Sequence, residues 1–568
     1  MKSSLRYLTF TLLAALLVLL SACGSNSDKD KETAAGQTSS TDTANAADAA
    51  DTKADPAADT ATSTPAKEKV VTVGIVNSPP TLNQINDQGD SATRTVLALI
   101  NDSLLDINTS FEFLPKLADS IETTDNQNYV VKLNSNAKWN DGQPFTTADV
   151  KFTLLTALNP KVESSFRLSF IDGTNDAGKL EEGQTELSGL TIVDEHTFQV
   201  KTKTPIDPNI FKETFATKVY FIPEHVLKDV APDQLATNPY FQKPEVTIGA
   251  FKFADFKKDQ YTEVVRNDNY YRPVAKLDKI YVKVLPATNL IAQLQTGDIQ
   301  MNSLPVGLIP ITDYDKLKAL PNVTVDSSGP SEPAELFFNN KTINDVKVRQ
   351  AIAYALNRQL IVDQLLKGQA EVIDGSVPSD NPYYNKDIQL FSYDPDKAKA
   401  LLKEAGWDSS KTLRFLVPAG NKIREQASDI LVQNLKDVGF KVDVQKFDFS
   451  TLIQKVLKGE YDLTIFNRDY YIEPSNYFSL FKSDNANNFI YYNNPQADEL
   501  ITQGSTESDP AKRHDIYNKL QQILHDDLPT LSVYSEKRLE AVSNVVVGGK
   551  PLNLGTFNNV NEWDLTTN

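Results

Sequence analysis

The chain has 568 residues, with 57 Lys and Arg against 75 Asp and Glu, a net charge of −18, and a single cysteine. One thiol excludes an internal disulfide framework and a multi-cysteine metal site, and a surface this acidic repels phosphate backbones, so nucleic acid is not an expected partner. About 500 residues follow the N-terminal region, too many for one hydrophobic core and enough for two or three domains.

Lys2 and Arg6 give the chain a positive start, and residues 8–20 form an apolar run of 13. A helix needs about 20 apolar residues to cross a bilayer core, so residues 1–22 read as a removable secretory signal. The junction Leu20-Ser21-Ala22-Cys23 resembles the lipobox of bacterial lipoproteins, in which the cysteine thiol receives a diacylglyceryl group and becomes the first residue of the mature chain. Lipidation of Cys23 is therefore expected, and two or more acyl chains anchor stably where one is marginal. Residues 23–67 hold Gly, Ser, Asp, Thr, Ala and Pro with hardly a large apolar side chain. Such a segment buries too little surface to offset its ordering entropy and reads as a disordered tether, with a typical reach of about 35 Å. No later apolar stretch approaches 18 residues. The expected location is the extracytoplasmic face of the cell membrane, contacted through the lipid alone.

The body reads as mixed α and β. Asp141-Gly142 is a turn dipeptide, Thr147 or Asp149 can cap the helix that follows, and Trp139 is a core anchor. Asp345 can cap a helix carrying Val348, Ile352, Ala355 and Leu356, with Gly368 placed to end it. Asp394-Pro395 opens another, whose apolar face is Ala398, Leu401, Leu402 and Ala405 and whose stop is Gly406. Leu413, Phe415 and Val417 then alternate as a strand, a helix runs over 422–438, and Gly439 turns the chain into a strand with Phe440, Val442 and Val444. That is a βαβ unit. A short helix over 450–457 delivers a third strand, 461–466, which runs into Asn467-Arg468-Asp469-Tyr470-Tyr471. Ligands of open α/β sheets bind outside the carboxyl ends of the strands, so this loop is the site candidate that physical reasoning supplies.

Catalytic machinery is not legible. The four histidines, His196, His225, His514 and His525, are dispersed, and no HExxH, GxSxG or GxxxxGK[ST] pattern occurs. Asp526-Asp527 reads as the end of an amphipathic helix before Leu528-Pro529. No catalytic residue, metal site or cofactor is expected, and the chain does not read as an enzyme.

Several segments carry a family resemblance, in order along the chain. They are Phe113-Leu114-Pro115-Lys116-Leu117-Ala118-Asp119-Ser120, Lys138-Trp139-Asn140-Asp141-Gly142-Gln143-Pro144-Phe145, Arg266-Asn267-Asp268-Asn269-Tyr270-Tyr271, Leu294-Gln295-Thr296-Gly297-Asp298, Val348-Arg349-Gln350-Ala351-Ile352 and Asn494-Pro495-Gln496-Ala497-Asp498. From about residue 70 onward the chain resembles the family 5 extracellular solute-binding proteins, the oligopeptide, dipeptide and nickel receptors of ABC importers. The resemblance implies an α/β, two-lobed periplasmic-binding-protein-like fold (class II, type C cluster) with an extra subdomain inserted in the N-terminal lobe. Lobe I would comprise 68–96, 245–331 and 538–568, the inserted subdomain 97–244, and lobe II 332–537. It further implies a monomer that encloses a peptide or other small molecule between its lobes and presents the closed form to ABC permease subunits. The signature residues themselves read as structural, Arg349 among them as an ion-pair or capping partner.

Peptide binders of the family place an aspartate against the ligand's α-amine, because an unpaired buried charge costs several kcal/mol. Here the corresponding stretch is Asn467-Arg468-Asp469-Tyr470-Tyr471-Ile472-Glu473-Pro474. Counting back from Glu473-Pro474, Tyr470 occupies the family's aspartate position, Asp469 is displaced by one, and Asn467 replaces a tryptophan. The resemblance makes Asp469 the amine anchor and Arg468, Tyr470, Tyr471, Asn467 and Asn488 the other ligand-binding residues. The departures leave open a non-peptide cargo, such as an oligosaccharide, an opine or a metal chelate, and also a surface sensor that transports nothing.

Overall fold

The computed structural model describes residues 67–568 apart from 376, 469–472, 486–487, 553 and 567–568. The signal, Cys23, nearly all of the tether, and Asp469, Tyr470 and Tyr471 lie outside the described residues.

Eleven strands form one sheet. Its path runs Lys441–Phe447, Thr412–Pro418, Leu463–Asn467, Val323–Phe338, Thr530–Ser543, Met301–Asn302, Val70–Ile75, Lys279–Val284, Tyr261–Arg266 and Phe251–Lys257, with Ala370–Glu371 added alongside Thr530–Ser543. The two long central strands, Val323–Phe338 and Thr530–Ser543, are antiparallel and belong to both halves of the sheet. Their register shifts between Ser327 and Pro330, again before Pro333, and again between Ala334 and Glu335. Proline has no N–H to give a ladder, so Pro330 and Pro333 are tolerated mid-strand because the pairing is already broken there. The result is a two-lobed α/β molecule whose lobes are joined through a pair of irregular strands.

The second lobe contains the βαβ unit read from the sequence. Asn421 accepts the Arg424 N–H at 3.0 Å and caps Lys422–Asp437, whose Ala427, Ser428, Leu431, Val432 and Leu435 face the core. Gly439, at φ +105°, turns the chain, and Lys441–Phe447 returns parallel to Thr412–Pro418. Asp448 caps Phe449–Leu457, and Leu463–Asn467 then enters parallel on the other side of Thr412–Pro418. Three carboxyl strand ends, at Pro418, Phe447 and Asn467, therefore share one edge.

Two expected elements are corrected. The helix begun by Asp345 spans Val346–Ala355 and stops well short of Gly368, because Leu356 is extended (ψ 118°) and the Asn357 side chain accepts the Leu360 N–H, restarting a short helix at Arg358–Leu360. That break lets Arg358 turn inward, where it pairs with Asp374 and donates to the carbonyls of Ser532 and Phe391. The second correction is the cap of Thr147–Ala157, which is Thr146, with Asp149 closing the reciprocal half of a capping box.

Residues 118–201 build a separate antiparallel sheet, ordered Ala118–Glu122, Asn128–Leu133, Thr197–Lys201, Leu190–Asp194, over its own core. Trp139 is fully buried there, edge-on to Phe145. The family-like segments meet in space. Lys116 lies 3.0 Å from Asp102 and 2.8 Å from Asp106, and the hydroxyls of Tyr270 and Tyr271 both donate to Asp102 at 2.8 Å. Burial pushes the Lys116 ammonium down, but the carboxylates of Asp102 and Asp106 outweigh it and hold the pKa well above its ordinary value. Arg349 donates to the carbonyls of Asp527, Leu528, Ile343 and Asn344, satisfying the last carbonyls of Pro510–Asp527.

Candidate functional site

At the shared carboxyl edge of Thr412–Pro418, Lys441–Phe447 and Leu463–Asn467 the chain leaves the sheet through Asn467 and Arg468. The edge of parallel strands presents helix N-termini and unpaired backbone groups, so it is where a ligand finds polar partners. Asn467, the last strand residue, is half-buried and accepts from Arg424 Nη2 at 2.5 Å. Arg424 lies in the first turn of Lys422–Asp437, so the sheet edge and the helix start are tied together at this point. Arg468 follows, its N–H donating to Pro333 O at 3.0 Å in the irregular strand.

The Arg468 side chain packs into the second lobe. Its guanidinium lies 5.4 Å from the Tyr477 ring centre and 5.0 Å from that of Phe481, and Nη1 is 3.8 Å from Glu335 Oε2. Among the described residues neither terminal nitrogen has a hydrogen bond, so the charge is held by Glu335 and two aromatic faces. Asn488 uses its amide locally, accepting the Tyr492 N–H at 3.2 Å and donating to Tyr492 O at 2.7 Å. It closes the turn before Asn494.

The far end of the loop is fixed by a network that sequence reasoning missed. Glu473 is buried, caps Pro474–Phe478 by accepting the Ser475 N–H at 3.0 Å, and is bonded by Arg513 Nη2. Arg513, on Pro510–Asp527, is wholly buried. Its Nε donates to Gly504 O at 2.8 Å, and its Nη1 to the Tyr383 hydroxyl at 3.1 Å. The same Nη1 lies 3.3 Å from Oδ1 of Asp207, in the 118–222 region. A second link crosses beside it, where the Glu473 N–H donates to Glu213 Oε2 at 3.0 Å. Burial raises the pKa of Glu473 and of Asp207, with Arg513 opposing in both cases, whereas the carboxylates around Arg513 raise its own pKa against burial.

One exposed aromatic stands on the same edge. Phe449 begins the helix after Lys441–Phe447, is 53% exposed, and sits 6.0 Å edge-on from Phe466, whose ring stacks on Phe337 at 4.3 Å. Among the described residues no group of three His, Cys, Asp or Glu side chains is arranged to hold a metal ion.

The family model of the bacterial extracellular solute-binding proteins, family 5, matches residues 112–489, more than half of the chain. The chain belongs to this family. Among curated proteins, this binding protein is 26% identical over 514 residues to the oligopeptide-binding protein AppA of Bacillus subtilis, covering 86% of this chain and 90% of AppA. Among solved structures, AppA from Bacillus subtilis in complex with a nonapeptide superposes with a TM-score of 0.68 at 25% identity, covering 88% of this chain and 100% of that one. The substrate-binding protein CtaP from Listeria monocytogenes gives 0.76 at 25% identity, with 88% and 100% covered.

For this solute-binding protein, the described part of the candidate site separates into two ends. Asn467 and Arg468 mark where the loop leaves the sheet, and Asn488 closes a neighbouring turn. The residues missed from the sequence are Arg424, Glu473, Arg513, Asp207 and Glu213. Only Glu473 carried a usable signal, since an acidic residue before Pro474 is an N-cap followed by proline at the first helical position. Asp207 has the same form before Pro208, but nothing in the chain links it to Arg513, which is distant in sequence.

Proposed function

We propose that this protein captures short peptides between its lobes and delivers them to the membrane permease of an ABC importer, with Asp469 as the anchor for the peptide α-amine. The observation that carries the reading is the arrangement of the described residues on either side of 469–472. Asn467 and Arg468 leave the carboxyl edge of three parallel strands, and at Glu473 another region of the molecule comes close, Glu213 accepting the Glu473 N–H and Asp207 lying by Arg513, the partner of Glu473. A ligand held here would touch both lobes at once, which is the condition for binding to drive closure. The likeness to AppA, solved with a nonapeptide, supports the peptide class.

In this reading Tyr470 and Tyr471 supply hydroxyls and ring faces to the peptide, and Asn467 and Arg468 set the start of the loop. Asn488 is a further ligand-binding residue, and Phe449 offers an apolar surface to a peptide side chain. The lobes swing about the register shifts at Pro330 and Pro333, with lobe I taken as 68–96, 245–331 and 538–568, the inserted subdomain as 97–244 and lobe II as 332–537. The protein acts as a monomer without catalytic chemistry, held at the extracytoplasmic membrane face by a lipid on Cys23.

Isothermal titration with a nonapeptide tests the anchor. Asp469→Ala is expected to weaken binding by about 100-fold, the loss that accompanies a buried amine left without its partner. An unchanged affinity in that variant rules Asp469 out as the anchor.

A further inference from the structure

The other half of the large sheet carries a recess of its own, about 450 Å³ in volume, walled by Tyr261 and Tyr281 and rimmed by Asp259, Gln260, Lys283 and Asp298. Register creates it. Tyr261 pairs with Lys283, and Tyr281 with Glu263, across Tyr261–Arg266 and Lys279–Val284, so Tyr261, Tyr281 and Lys283 share one face of the pleat. The strand Lys279–Val284 lies five places along the sheet from Leu463–Asn467, about 24 Å at the usual strand spacing. The recess is therefore separate from the peptide site.

Its walls and rim are held in place. The two rings stand at 83° with centres 5.5 Å apart, and the Tyr261 hydroxyl donates to Asp255 Oδ2 at 2.9 Å. The Asp259 N–H donates to Ser78 Oγ at 3.0 Å and the Gln260 N–H to Lys257 O at 3.0 Å, which pins the turn carrying both rim residues. Lys283 Nζ donates to Gln293 Oε1 at 2.9 Å, and Asp298 Oδ2 accepts from Thr296 Oγ1 at 2.8 Å. An ammonium has three donors and a carboxylate several acceptor sites, so each keeps capacity for a ligand.

The lining discriminates between ligand classes. A cation would find both rings attended already, Lys257 Nζ lying 5.4 Å from the Tyr261 centre and Lys279 Nζ 5.6 Å from that of Tyr281, and would also meet Lys283. An anion would face Asp259 and Asp298. A wholly apolar group would take those charges out of water without a partner. A neutral ring with hydroxyls on its edge and an apolar C–H face fits every one of these groups, because hydroxyls both donate and accept and the C–H face covers a tyrosine ring. We propose that this recess binds a sugar ring of an oligosaccharide or polysaccharide, with Tyr281 as the stacking face and Lys283 and Asp298 as hydroxyl partners. The first described residues run beside it, Glu68 Oε1 lying 3.4 Å from Lys279 Nζ, so the recess adjoins the end of the tether. A free oligosaccharide and the glycan of a cell wall offer this chemistry alike.

Saturation-transfer NMR on the full chain, with tri-N-acetylglucosamine and maltotriose as soluble probes, and co-sedimentation with purified peptidoglycan separate the two sources. Binding in either arm is expected. Tyr281→Ala should weaken it about tenfold while Tyr281→Phe, which keeps the ring, stays near wild type. Asp298→Ala, on the turn after Ala287–Thr296 and outside the sheet, should also weaken it about tenfold. Excess nonapeptide should leave the sugar signal unchanged, and Tyr281→Ala should leave nonapeptide affinity unchanged. No binding in either arm, or binding that survives in both alanine variants, overturns the proposal, and so does a sugar signal that the nonapeptide abolishes. Choline binding in place of sugar would overturn the ligand class. A wild type that binds sugar and ignores the nonapeptide refutes the peptide reading alone.

Discussion

Glu540 faces Asp326 across the two long central strands, and the cation that compensates it, Lys550, is 3.9 Å away. Burial, offset in part by Lys550 and reinforced by Asp326, pushes the Glu540 carboxyl up from its ordinary 4.5 to about 7. A raised folded-state pKa means the native protein binds this proton more tightly than the unfolded chain does. The stability it contributes is therefore complete below pH 4.5 and is lost as the pH rises through about 7. Glu540→Gln should match the wild type near pH 4.5 and exceed it above pH 7, by at most about 3 kcal/mol, in urea unfolding from pH 4.5 to 8.5. A wild type whose unfolding midpoint is no more pH-dependent than that of the variant would refute this. At this scale the sequence showed residue types and little of their company. Arg349 was legible as a capping or pairing group and does satisfy helix-end carbonyls. The Glu540 and Asp326 pair was not, because register between strands nearly 200 residues apart is not written in either strand alone.

The elements were legible wherever cap and periodicity agreed. Asp345 and Asp394 each accept a backbone N–H at the start of a helix, and Gly406 and Gly439 adopt the positive φ that ends or turns one. The misreadings came from competing signals within a few residues. Two adjacent threonines, Thr146 and Thr147, stand at the start of the helix Thr147–Ala157, and Thr146 has the extended backbone of a cap (φ −134°, ψ 176°); Thr147 instead donates to Asp194 O at 2.8 Å. Thr146→Ala should lower stability by about 1 kcal/mol and Thr146→Ser should restore most of it, measured as urea midpoints. Equal midpoints for the alanine and serine variants would show that the capping hydroxyl contributes nothing. Asn357 broke an apparently continuous apolar pattern because its own side chain caps the restart at Leu360. The long strands were not foreseen, since Gly329, Pro330 and Pro333 resemble a turn until a partner strand with a shifted register accommodates them.

At the scale of the molecule, the lipid proposed on Cys23 and the cleft are separable. Cys23→Ser should move the protein from the membrane fraction to the soluble fraction and abolish incorporation of labelled palmitate, with peptide affinity unchanged in titration. Retention in the membrane fraction would exclude the lipid as its anchor. No helix among the described residues is long and apolar enough to cross a membrane. The sequence by itself determined the α/β class, the βαβ unit and the strand that ends at Asn467 on its carboxyl edge, and it carried the segments by which the family was recognised. Each of these depends on local capping, on the period of apolar residues, or on short runs of neighbours, all of which a linear chain displays. Tertiary structure alone decided that Lys116, Asp102, Tyr270 and Tyr271 form one buried polar cluster, and that Asp207, Glu213, Glu473 and Arg513 meet. Those contacts join residues far apart in the chain, and a buried charge reveals its partner only once the fold has removed the water around both.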